Sequence, residues 1–172
     1  KMVAGAYVSM FRPEEELCRL SRLAVSSDGV AAILKSDKSA ADKVAELQQS
    51  EAGKNWLAEY EKSSDPWFMV SCGSGWYNHE GSWLTNLDIP YSYIKGYVER
   101  LEKGETIERS LDKIEKERDE IVAEYRKMIQ TDDDRKAFDD AYNTIRTIYR
   151  YAEDHLFWVE HWFHTIWYAK IR

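Results

Sequence analysis

Three observations predict an all-α fold, a helical bundle with a long antiparallel helix hairpin and one ordered aromatic loop. Only three prolines and eight glycines punctuate 172 residues. None of either occurs after Gly104. Outside residues 63–90, apolar side chains recur at steps of three and four, the period of one helix face.

Pro13 followed by Glu14, Glu15 and Glu16 opens the first helix, because proline suits the first turn and carboxylates suit the positive end of the helix dipole. Leu17, Leu20, Leu23 and Ala24 form its apolar stripe, and Gly29 stops it. Ser39 with Asp42 three residues on marks a second start, carrying Val44 and Leu47. Gly53 is predicted to break that helix before Trp56, Leu57 and Tyr60 resume a helical face. Between residues 63 and 90 the periodicity disappears into DPWFMVSCGSGWYNHEGSWLTNLDIP, too long for an ordinary connection and too aromatic for disorder. An ordered loop packed on the helices is predicted there. After Pro90, Tyr91, Ile94, Val98 and Leu101 share a face, and Gly104 ends it. Ile107, Leu111, Ile114, Arg118, Ile121, Tyr125 and Met128 then predict one amphipathic helix of about seven turns, with Arg118 the sole charge in its stripe. Thr131 and Asp132 make a turn and cap. Phe138, Ala141, Ile145, Ile148 and Ala152 begin a last helix that runs on through Leu156, Val159, Trp162, Phe163 and Ile166, antiparallel to the one before.

The length suits one domain over 1–172, with short helices in 1–62, the aromatic loop in 63–90 and long helices in 91–172. Met2 behind a lysine, and an uncapped Lys170-Ile171-Arg172, lead us to expect a piece excised from a larger multidomain protein. Lys plus Arg number 24 against 31 Asp plus Glu, a formal net charge of −7, which argues against nucleic-acid binding by counterion release. No apolar run is long enough to span a membrane, and no signal-peptide pattern opens the chain. Cys18 and Cys72 make neither a disulfide framework nor a metal spacing, so a reducing, cytoplasmic setting is expected.

Chemistry concentrates in two places. Residues 153–168, EDHLFWVEHWFHTIWY, hold three of the four histidines and three of the seven tryptophans. His161 and His164 are neighbours at i, i+3, as are Glu160 and His164 at i, i+4, whereas His155 lies nearly two turns away. A ligand pocket with imidazoles, a core of hydrogen-bonded histidines and a metal site of Glu160, His161 and His164 all fit. The metal reading needs ligands from another helix, and no second Glu-x-x-His motif exists. In the loop, Trp67, Trp76, Tyr77 and Trp83, with His79, fit either the lid of an aromatic cavity or a cap on the core. Cys72 beside His79 has no identifiable orienting group and reads as an incidental thiol.

The order of segments resembles a known family. It is carried by Phe11-Arg12-Pro13-Glu14-Glu15-Glu16-Leu17, Asp65-Pro66-Trp67-Phe68, Ser71, Gly73, Gly75, Trp76-Tyr77, Ser82-Trp83, Tyr97-Val98-Glu99-Arg100-Leu101-Glu102-Lys103-Gly104-Glu105, Glu117-Arg118-Asp119, Glu124-Tyr125-Arg126 and Glu160-His161-Trp162. The chain is similar to the central helical region of the PEP-synthase-like, PEP-utilising phosphotransferases, which include phenylphosphate synthase and rifampin phosphotransferase; the loop departs from that pattern at Asn78 and Gly81. The resemblance implies a parent with an ATP-grasp domain using ATP and Mg, a swivelling domain whose histidine carries the phosphoryl group, and a helical domain for the hydroxyl acceptor. This chain corresponds to the third, with no cofactor of its own and no turnover alone. A small phenol or alcohol is then the expected ligand, packed by Trp67, Trp76, Tyr77, Trp83, His155, Trp158 and Trp162, with His161 or His164 as general base and His79 as runner-up. A non-catalytic interaction or spacer domain, and a His/Glu metal-binding bundle, are the alternatives.

Overall fold

A computed structural model describes residues 11–69, 71 and 82–163; the side chains of Pro66, Leu111, Arg150, Glu153, Phe157, Glu160, His161 and Trp162 are outside that description. Among the described residues the chain is helical and contains no strand. The helices are α1 (Arg12–Ser26), α2 (Val30–Lys35), α3 (Ala40–Leu47), α4 (Glu51–Lys62), α5 (Asp88–Glu102), α6 (Leu111–Met128) and α7 (Asp132–Trp162). They fall into two compact units, one holding residues 12–108 and 160–163, the other residue 11 and residues 109–159.

In the first unit α1 lies chiefly against α5, with α2 and α4 beside it. Leu17, Leu20 and Ala24 of α1 are buried with Val30, Leu34, Leu47, Ile94 and Val98, as the apolar stripe requires. Truncating any one of the fully buried leucines in such a core costs about 2–5 kcal/mol. Gly29 adopts φ 72°, the left-handed conformation that lets the chain turn from α1 into α2. Ser39 caps α3 by accepting from the Asp42 amide at 3.2 Å. The buried Lys43 ammonium donates to the Leu34 carbonyl at 3.0 Å, satisfying a buried acceptor that the C-terminus of α2 leaves without a helical partner. At the other end, Arg19 bridges Glu16 and Glu59, and the buried Ser63 hydroxyl donates to Glu16 at 2.7 Å, fixing α1 to the end of α4.

Two predicted boundaries move. Gly53 does not break a helix: α4 starts at Glu51 under the Ser50 cap, whose hydroxyl accepts from the Gly53 amide at 3.0 Å, and the chain turns earlier, at Gln48–Ser50. Nor does the long helix begin at Ile107. Glu105 N–H donates to the Arg100 carbonyl and the Arg100 guanidinium to the Thr106 carbonyl, holding the segment after Gly104 in an irregular turn. Ile107 is buried, and its carbonyl accepts from the Cys18 thiol at 3.9 Å, so α6 starts only at Leu111.

In the second unit α6 and α7 form the hairpin. Thr131 caps α7 by accepting from the Asp134 amide at 3.1 Å. Arg135 donates to the Ile129 carbonyl across the turn, and Arg126 grips Asp139 through two nitrogens at 2.9–3.1 Å. Arg118 is the most deeply buried described residue of α6, its side chain 4% exposed. Tyr142 of α7 stands near it.

Candidate functional site

The last turn of α4 leads into the aromatic segment through one wide turn, Ser64–Phe68. Its hydrogen bonds span five residues, Phe68 N–H to the Ser63 carbonyl at 3.2 Å and Met69 N–H to Ser64 at 3.1 Å. Asp65 leaves the helical region there, at φ −109° and ψ 123°, because the ring of a following proline crowds the helical conformation of the residue before it. The register change drives Phe68 into the core and leaves Trp67 half-buried against it. The chain returns at Ser82, where the Trp83 amide donates to the Ser71 carbonyl at 2.9 Å and closes the two ends of the loop on each other.

These ends sit on a cluster of rings. Trp56 and Tyr60, one turn apart on α4, stand with centroids 5.7 Å apart. Tyr91 of α5 meets Trp56 edge-on at 5.9 Å and Tyr60 at 5.6 Å. Phe68 lies 4.9 Å from Tyr60 and 5.5 Å from Trp83, and Trp83 reaches on to Tyr93 at 5.9 Å. Tyr93 is 45% exposed, so Trp83 links the buried rings to the surface. Polar edges are spent internally: Trp56 Nε1 donates to the Leu20 carbonyl at 2.9 Å, and Tyr60 Oη donates to the Trp83 carbonyl at 3.1 Å. Burial pushes the Tyr60 and Tyr91 phenols above the usual tyrosine range, so both stay neutral. One donor is not spent. Trp83 is 8% exposed, and its buried indole Nε1–H finds no acceptor among the described residues.

Of the residues singled out from sequence, Trp67 and Trp83 lie at the ring cluster. His155 and Trp158 are exposed on α7, in the other unit, three residues apart. Trp76, Tyr77, His79 and His164 lie outside the described residues, as do the side chains of His161 and Trp162. Among the described residues no group of three His, Cys, Asp or Glu side chains converges as metal ligands would. No described helix is long and apolar enough to cross a membrane.

Sequence reasoning missed the tyrosine half of the cluster, since Tyr60 and Tyr91 read as ordinary stripe residues and Tyr93 was not singled out. It also missed a groove of about 730 Å³ between α1 and α4, floored by Trp56 and rimmed by Arg19, Arg22, Asn55, Glu59 and Lys62. Its cations are engaged: Arg19 and Lys62 pair with Glu59, and Arg22 with Glu108. The groove therefore presents no unspent positive charge from these residues. No family model, curated protein or solved structure matches the chain.

Proposed function

We propose that this chain is the acceptor-binding helical part of a phosphohistidine-dependent phosphotransferase, and that the ring cluster at the foot of the aromatic loop receives a small aromatic hydroxyl compound. The observation that carries the reading is the unspent indole N–H of Trp83 at the edge of five other rings. A buried donor without an acceptor costs about 1–3 kcal/mol, which a ligand oxygen would recover while its ring stacks on the neighbouring faces. In the parent enzyme, an imidazole of His161 or His164 would take the hydroxyl proton as the acceptor oxygen attacks the phosphoryl group. The P–O bond forms as the P–N bond to the carrier histidine breaks.

Titration of the protein with phenol, cresols and aliphatic alcohols, followed by calorimetry and tryptophan fluorescence, tests the binding step. Saturable binding of the phenols that falls about tenfold in Trp83→Phe, which keeps a ring and deletes the donor, is the expected result. No binding across the panel overturns it. For the transfer step, His161→Gln and His164→Gln in the intact parent are expected to cut acceptor phosphorylation while sparing that of the carrier histidine. A spacer reading is favoured by a different observation, that Trp56, Tyr60, Phe68 and Tyr91 are all core residues. It predicts no ligand binding and a loss of folding, not of affinity, when rings are removed.

A further inference from the structure

We propose that two copies of this chain associate through the C-terminal half of α7, antiparallel, about a two-fold axis at Ala152. At 1.5 Å per residue, the 31 residues of α7 extend about 20 Å past the end of the 18-residue α6. Ile145, Ile148, Leu156 and Val159 are each more than half exposed, and Ala152 between them is exposed as well. Their spacing of three, four, four and three places all five on one stripe of the helix.

That spacing reads the same in both directions. In an antiparallel pair centred on Ala152, Ile145 faces Val159 of the second copy, Ile148 faces Leu156, and Ala152 faces itself. Large residues thus meet large ones, and the small one lies on the axis, where the helices approach most closely. Charge selects the same direction. Arg146 and Arg150 are the charged positions between 141 and 152, and Glu153, Asp154 and Glu160 those between 153 and 160. Antiparallel pairing sets the basic stretch of one copy beside the acidic stretch of the other, with positions 150 and 154 directly opposed. Parallel pairing sets like on like. An isologous contact of this kind is self-complementary and closes at two copies. The stripe offers roughly 400–500 Å² of apolar surface per copy, comparable to the largest patch of an ordinary monomer, so two copies bury at most about 1,000 Å², the lower edge of specific interfaces.

Sedimentation equilibrium of the full chain from low micromolar to near-millimolar concentration tests this, with circular dichroism as the check on folding. The wild type is expected to dimerise, and Ile148→Glu and Leu156→Lys each to weaken the dimer at least tenfold while keeping their helicity. Mixed in equal amounts, the two variants regain association, because antiparallel pairing sets the introduced charges against each other. A wild type that stays monomeric throughout overturns the proposal, and so do single variants that dimerise like the wild type. A mixture that gains nothing overturns the antiparallel seam. Should either charged variant lose helicity, Ala152→Cys in a background with Cys18→Ala and Cys72→Ala decides: an oxidised homodimer through position 152 supports the axis, and its absence under oxidising conditions overturns it.

Discussion

A methyl group added at Gly53 would stand inside the van der Waals shell of the Leu47 carbonyl, where the end of α3 crosses the first turn of α4. Gly-to-Ala in a helix ordinarily stabilises by about 1 kcal/mol. Here the clash is with backbone, which cannot swing aside, so Gly53→Ala is expected to destabilise the fold by about 2–4 kcal/mol in urea unfolding. Gly96, in the interior of α5, is the control: an added Cβ meets nothing within 4 Å, and Gly96→Ala is expected to raise stability by about 1 kcal/mol in the same assay. Sequence reading cannot separate these two glycines, because both interrupt a helical pattern and differ only in what crosses above them. Cys18 makes the same point for chemistry. Its thiol, 4% exposed and hydrogen-bonded to the Ile107 carbonyl, is pushed up to about 11, first by burial and then by Glu14. In a Cys72→Ser background it is expected to resist disulfide-exchange reagents near neutral pH and to react fully once the fold is denatured.

At the level of elements, the helix starts at Ser39 and Pro13 and the stops at Gly29 and Gly104 were legible, because capping and positive φ are local properties that a few residues specify. What was not legible depends on distant partners. The start of α6 is set by Ile107 burying itself beside Cys18, and the depth of the ring cluster by Tyr91 arriving from α5. The histidine-rich segment gave a sharp chemical signal, yet its spacing alone does not say which imidazoles share a pocket. Arg118 was read as the one charge in an apolar stripe, and it proves to be the most deeply buried described residue of α6. Its guanidinium donates to Asp119 at 2.8 and 2.9 Å, while Nη1 lies 3.6 Å from Glu115, too far for a hydrogen bond. Against the desolvation of its burial, Asp119, Tyr142 and Glu115 together hold its pKa above the ordinary arginine value, yet exchanging such a pair for a well-packed apolar side chain is often neutral or stabilising. Arg118→Met, which keeps the length and removes the charge, is therefore expected to leave the melting temperature unchanged or raise it. A drop equivalent to more than about 1 kcal/mol would show that the ion pairs outweigh the apolar packing that replaces them.

Across the whole molecule, the described groups that burial perturbs most are acids kept neutral, which fixes how stability depends on pH. Tyr60, Tyr91 and Tyr97 have phenols raised chiefly by burial, and Glu14 beside Tyr97 adds to its shift. The Cys18 thiol is raised in the same way. A neutral acid whose folded pKa exceeds its unfolded one holds its proton more tightly in the native state. Its contribution to stability is complete below the unfolded pKa and is lost as the pH climbs past it. These four groups sit on α1, α4 and α5, the helices that enclose the core of the first unit. Their effects therefore add to one unfolding transition. Stability in urea is expected to be flat through neutral pH and to fall steeply above about pH 9–10, where unfolded thiols and phenols ionise. The buried phenols should contribute phenolate absorbance only as helical circular dichroism is lost. Complete ionisation of all eleven tyrosines at unchanged helicity would mean that the phenols of Tyr60 and Tyr91 are not enclosed.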